Sequence, residues 1–248
     1  MTSTSSTLRP LLKKLQLWQE FDPQEQAAIL ALPHSVETIS AGKYIVREGD
    51  RPKHVRVLLS GFAFRQKITG DGSRSINAVH MTGDVVDLQN SLLRIADHNV
   101  QALTQAEVAF IPREHVVKLA FERPKVGMAM WYDMLVDGSV FREWIANIAR
   151  RDAATRLAHL LCEVGIRLEA MGLAERESFE LPMTQEQLAD ATGLTPVHVN
   201  RTLKELESRG VITRTVRFVA VADWAQLEKT GDFSDAYLHL PKPESLLN

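Results

Sequence analysis

Residues 184–209 read TQEQLADATGLTPVHVNRTLKELESR, and the fold is decided here. Thr184 is placed to cap a helix, with Gln187 three residues on to close a capping box. Leu188 faces inward, and Ala189 is small enough for a second helix to cross close by. Gly193 falls where the chain needs a left-handed residue, a conformation that costs other residues energy. Thr195 caps the second helix, and Pro196 takes its first position, where no backbone donor is needed. Val199, Leu203 and Leu206 form a buried stripe along that helix, while His198, Asn200, Arg201 and Lys204 fall outside it. This is the layout of a helix-turn-helix, whose second helix enters the major groove of DNA. Between Thr195 and Ala220 there are five basic residues (Arg201, Lys204, Arg209, Arg214, Arg217) against two acidic ones (Glu205, Glu207). The bland alternative for Arg201 and Lys204 is a solvated helix face paired with Glu205 or Glu207.

Immediately downstream, GVITRTVRFVAV (210–221) reads as two short strands, the wing of a winged helix, and a last helix is expected over 223–229. The tail 241–248, PKPESLLN, is expected to be loose. Upstream, Leu181-Pro182 leads into the helix-turn-helix. A helix over 153–171 buries Leu157, Leu160, Leu161, Val164 and Leu168, and Gly172 ends it. Cys162 lies on or near that face as inert packing. Farther upstream, Pro124 starts a long helix that ends at Arg150-Arg151-Asp152. On it Met130, Met134, Gly138, Phe141, Ile145 and Ile148 follow a heptad-like spacing, the pattern of two helices packed side by side. A second apolar set, Trp131, Leu135, Val136 and Val140, is free to rest on the preceding domain. Asp137-Gly138 is an unfavourable pair in mid-helix; it either allows two helices to approach closely or marks a kink.

From Tyr44 to Ile111 the texture is short β-rich runs separated by turns: YIVREGD, HVRVLLSG, FAFRQKI, SINAVHM and VQALTQAEVAFI. Asp71-Gly72 fits a tight hairpin turn, and Gly49, Gly61 and Gly83 punctuate the other runs. Such spacing predicts a β-roll or barrel. Cupin-type metal enzymes are β-rolls too, but His34, His54, His80 and His98 are scattered, so no metal site is predicted. Ahead of the roll two short helices are expected, the second with Asp22 as cap, Pro23 in first position and Glu25 completing the box. The first seven residues are rich in Ser and Thr and are expected to be disordered.

The chain has 248 residues, enough for two domains, with 45% hydrophobic residues and a net charge of -2. One cysteine excludes an intrachain disulfide and cysteine-rich metal or iron–sulfur sites. The N-terminal stretch lacks the apolar core of a signal peptide, and no apolar run reaches the ~20 residues of a membrane helix; a cytoplasmic location and no membrane partner are expected. The predicted fold class is α+β. A double-stranded, jelly-roll-like β-roll with N-terminal helices occupies 1–123, a dimerisation helix 124–150 and a winged helix-turn-helix domain 151–248.

A β-roll, a long helix and a C-terminal winged helix-turn-helix, in that order, resemble the CRP/FNR family of transcription regulators. The likeness runs through nearly the whole chain. It is most specific in GLTPVHVNRTLKELESRGVI (193–212), in RDAATRLAHLLCEVGIRL (151–168) and in the roll's glycines, Gly49, Gly61, Asp71-Gly72 and Gly83-Asp84. The resemblance implies a homodimer on a roughly palindromic DNA site, with two recognition helices in major grooves about 34 Å apart. It makes Val197, His198, Asn200 and Arg201 base-contact candidates, Arg201 for guanine, where two parallel donors meet O6 and N7. Thr184, Thr195, Lys204, Arg214 and Arg217 are the phosphate candidates. Many members carry glutamate where this chain has Val197, so the half-site sequence does not transfer. RNA polymerase is a further partner if the protein activates.

The sensor departs further from the family. Cyclic-AMP-binding members have a Gly-Glu pair after the glycine–acid turn and then an Arg-Ser pair for the phosphate. Here Asp87 and Leu88 hold the first pair of positions, and Ala96 and Asp97 the second, so an acid stands where phosphate donors are needed. The expectation is no cyclic AMP in the usual mode, no iron–sulfur cluster, and haem left open, since histidines are present but in no recognisable haem motif. Asp87, Leu88 and Asp97 are the candidate effector-pocket residues for an unidentified ligand. The competing reading is a β-roll small-ligand-binding protein or cupin-like enzyme whose C-terminal domain serves protein interaction. No paired carboxylates, nucleophile–base motif or phosphate-cradling loop supports catalysis. Operator, effector, regulated genes and the sign of regulation are not written in the sequence.

Overall fold

The computed structural model describes residues 7–241. Most of the Ser/Thr-rich start and all but Pro241 of the tail, both expected to be loose, lie outside the described residues. The chain separates into two compact units, one of Met1–Gln66, Val79–Gly138 and Leu240–Asn248, the other of Lys67–Ala78 and Ser139–His239.

The first unit begins with two short helices, α1 (Arg9–Gln16) and α2 (Pro23–Leu30). The start of α2 is the expected capping box: the Asp22 carboxylate accepts from the Gln24 and Glu25 amides, and Glu25 accepts from the Asp22 amide. Seven strands follow: β1 (Ser35–Ile39), β2 (Tyr44–Val46), β3 (His54–Ser60), β4 (Phe62–Ile68), β5 (Arg74–Met81), β6 (Asn99–Ala102) and β7 (Ala106–Pro112). They form two antiparallel sheets, ordered β1-β7-β3 and β2-β6-β4-β5. Val46, Leu58, Ala63, Val100 and Val108 are among the residues that fill the core of this roll. Gly61 joins β3 to β4 at φ +84°, and a Cβ there would lie 2.5 Å from the Gln105 carbonyl oxygen; only glycine fits. Two findings correct the sequence reading. VQALTQAEVAFI forms two strands, β6 and β7, and β1 was not anticipated, because four of its five side chains are exposed and show no alternation.

Three buried or half-buried charge clusters sit in this unit. Arg56 pairs with Asp87 at 2.7 Å, and Asp87 also accepts from the Arg56 amide and the Asn90 side chain. Lys14 lies 2.9 Å from Asp84 and 3.6 Å from Asp133, which also accepts from the Trp18 indole. Arg65 clasps Asp137 with two parallel bonds of 2.9 and 3.0 Å. Burial pushes the Asp133 carboxyl above the usual carboxylate range and holds the His80 imidazole below the usual histidine value.

Two helices close the roll's sequence, α3 (Arg113–Glu122) and α4 (Pro124–Arg150), the latter unbroken through Asp137-Gly138. Of the second apolar set, Val136 and Val140 are buried, whereas Trp131 and Leu135 are exposed, 60% and 59%. Met130, assigned to the seam, is instead buried in the core with Val126 and Ala129. The cause is simple: Met130 and Trp131 differ by one residue, about 100° around the helix, and packing against the roll selects which turns inward.

The second unit is built on α5 (Ala153–Ala170), which buries the five expected apolar residues and carries Asp152 as its cap. Around it lie β8 (Ser178–Glu180), α6 (Gln185–Thr192), α7 (Pro196–Ser208), β9 (Ile212–Arg214), β10 (Phe218–Val221) and α8 (Trp224–Gly231). The wing has a third strand beyond the two expected, in the order β8-β10-β9. Glu163 on α5 is fully buried and accepts from the Trp144 indole, the Tyr237 hydroxyl and Arg167. His159 stacks on Tyr237, and Cys162 is buried, its thiol pushed up by burial.

Candidate nucleic-acid interface

The helix-turn-helix is assembled by local signals. Thr184 and Gln187 close the capping box at the start of α6, with bonds of 2.8 and 3.2 Å. Gly193 ends α6 in the left-handed region at φ +65°. Thr195 then accepts from the His198 amide at 3.2 Å, and Pro196 opens α7. Val199, Leu203 and Leu206 are buried to 1% exposure or less. Each such side chain contributes roughly 1.5–3 kcal/mol by leaving water, which holds the opposite face outward.

A residue outside the motif also positions the turn. Arg156 on α5 donates to the carbonyl oxygens of Thr192 and Gly193, at 3.0 and 3.4 Å. Its role depends on α5 packing against the motif, so no local sequence signal marks it.

The outward face of α7 carries Val197, Arg201 and Lys204 exposed, with His198 and Asn200 half-buried at its edges. The nearby acids are engaged elsewhere. Glu205 lies 3.9 Å from Arg209, and Glu207 lies 3.0 Å from Arg214. Arg201 and Lys204 have no side-chain partner among the described residues. The helix therefore presents two uncommitted cations beside an apolar tip, since Val197 is 80% exposed. The wing differs. Arg214 is held by Glu207, and Arg217 pairs with Glu180 at 2.6 Å, while Val216 at the wing's tip is 95% exposed. Thr184 and Thr195 use their oxygens as helix caps, and each hydroxyl keeps its hydrogen to donate.

The three effector-pocket candidates are not brought to one cavity. Asp87 is fully buried and held by Arg56 and Asn90. Leu88 packs in the hydrophobic core and lines an apolar cleft of about 380 Å³ beside α3 and α4. Asp97 is exposed and lies 2.7 Å from His98. Ala96 is buried at 1% exposure. Among the described residues, the one group of acids or histidines close enough to share a metal ion is Glu169, Glu175 and Glu177, and Arg176 already pairs with Glu169. No described helix is long and apolar enough to cross a membrane.

Residues 155–230 match the Crp-like helix-turn-helix domain, and residues 36–123 match the cyclic nucleotide-binding domain. The chain is 29% identical over 219 residues to the transcriptional activator protein FnrL of Cereibacter sphaeroides, covering 86% of this chain and 88% of that one. It is 25% identical to the fumarate and nitrate reduction regulatory protein of Vibrio cholerae over 196 residues, covering 79% of this chain and 78% of the relative. Among solved structures, FixK2 from Bradyrhizobium japonicum has the same fold, with a TM-score of 0.75 and 22% identity, covering 82% of this chain and 100% of the other. A roll that matches the cyclic nucleotide-binding domain, a long helix and a Crp-like helix-turn-helix domain give the chain the domain make-up of a CRP/FNR-type transcription regulator.

Proposed function

We propose that this regulator binds a roughly palindromic operator as a homodimer, reading each half-site with α7. The observation that carries the reading is the outward face of α7, where Arg201 and Lys204 stand without partners among the described residues, above a fully buried stripe. Arg201 reads guanine through its paired donors, with Asn200 and His198 beside it, and Val197 offers apolar contact to a thymine methyl. Thr184, Thr195 and Lys204 meet phosphates. Arg214 and Arg217 do so by exchanging their carboxylate partners for phosphate oxygens.

The dimer reading rests on α4. Trp131 and Ile145, two heptads apart, and Met134 leave apolar surface exposed along one side of the helix, and Gly138 lies between Met134 and Ile145. This retains Met134, Gly138, Phe141, Ile145 and Ile148 as the seam and puts Trp131 where Met130 was expected. The relative FnrL is named an activator, and activation by this chain would add RNA polymerase as a partner. The roll supplies the signal-receiving domain.

The test is selection of genomic DNA fragments by the purified full chain, followed by footprinting. A two-fold symmetric site with half-sites one helical turn apart, bound with steep salt dependence, supports the reading. Equal affinity for all fragments removes sequence-specific regulation. Charges placed at Met134 and Ile145 should turn a sedimenting dimer into a monomer, and a surviving dimer would put the seam elsewhere.

A further inference from the structure

We propose a second binding site, on the outer surface of the roll, for a small molecule that carries two or more phosphate groups. A cleft of about 720 Å³ opens there, lined by Arg51, Lys53, His54, Arg94, Arg113 and Glu114, among others. The volume is that of an ordinary small-molecule site. Four of these residues are permanent cations and one is an acid, in a chain whose net charge is -2. Such concentration of one sign in a concave surface focuses potential on a ligand of the other sign.

The site is also held in shape. Arg113 donates through Nε to the Ser91 carbonyl oxygen at 3.1 Å. Its Nη1 donates to the carbonyl oxygens of Leu93 and Pro52, at 3.2 and 3.4 Å. The Arg113 amide donates to the Lys53 carbonyl oxygen at 3.0 Å. One guanidinium thus ties together the two loops that carry the other cations, and its Nη2 keeps no protein partner among the described residues. Arg51, Lys53 and Arg94 are exposed, and their side chains make no ion pair or hydrogen bond among the described residues. Unpaired cations on braced loops are the arrangement that receives several phosphate groups at once, because arginine forks match phosphate oxygens bidentately. The apolar parts of the lining leave room for the uncharged body of the ligand.

The test is calorimetric titration of the full chain with tripolyphosphate at low salt. Parallel titrations use polyglutamate, the pair Lys53→Ala/Arg94→Ala, and the pair Arg201→Ala/Lys204→Ala. The expected result is saturable binding at one site per chain. The first pair weakens it about tenfold or more, and the second leaves it intact. An unchanged thermal melt for the first pair, whose side chains are exposed, separates loss of the site from loss of the fold. No saturable binding overturns the proposal. So does binding abolished by the recognition-helix pair alone, which would place the anion on the DNA face. Tighter binding of polyglutamate than of tripolyphosphate also overturns it, in favour of an acidic polypeptide partner.

Discussion

Arg201 and Lys204 on α7 project into solvent with no carboxylate partner among the described residues, whereas Arg56 and Arg65 in the roll and Lys14 on α1 are each held by an aspartate. The two regions use the same residue types to opposite ends. In the first unit, charge is spent internally: each pair has at least one partner largely withdrawn from water. On α7, charge is left over for something outside the molecule. A count of basic residues treats both alike, and only the location of the partner separates structure from interface.

The largest effect should come from breaking a pair in the roll. Asp87→Ala leaves the Arg56 guanidinium and the Asn90 amide without their acceptor, and should cost about 3–5 kcal/mol in chemical denaturation. A loss under about 1 kcal/mol would show the pair to be solvated and would weaken the contrast. Arg201→Ala should act in reverse, leaving the denaturation curve in place and costing ~1–3 kcal/mol of affinity at the specific site, with flattened sequence preference. An unchanged footprint would remove Arg201 from base readout. Gly193→Ala tests the scaffold between these extremes. At φ +65° a Cβ would lie 3.1 Å from Ile148, and the strained turn should cost about 1–2 kcal/mol in stability. Lys204→Ala should be mildest, lowering the slope of log affinity against log salt by about one while preserving sequence preference.

The same contrast explains what was legible in the sequence. The helix-turn-helix could be read residue by residue, because Thr184, Gln187, Gly193, Thr195 and Pro196 act within their own turn of chain. The hairpin at Asp71-Gly72 was legible for the same reason: Asp71 accepts from Thr69 and Ser73, which pull its carboxyl down to about 2. The roll's ion pairs were not legible, since Arg56 and Asp87 lie 31 residues apart and Arg65 and Asp137 lie 72 apart. Strand β1 was missed because its sequence, SVETI, is mostly exposed and has no apolar alternation. The place of Met130 turned on a rotation of one residue, which periodicity alone resolves poorly when Met and Trp are adjacent. Arg156 holds the recognition turn from another helix, and nothing around it in the sequence marks that task.

Tyr237 has a practical consequence for anyone cutting this chain. Its hydroxyl is one of three donors that satisfy the buried Glu163, and its ring stacks on His159. A fragment ending at Gly231, where the last α-helix closes, would keep the whole winged motif. It would also open a carboxylate at the centre of α5 to water. An expression boundary drawn beyond Leu238 keeps that carboxylate covered, and a fusion partner is better attached there than to the wing.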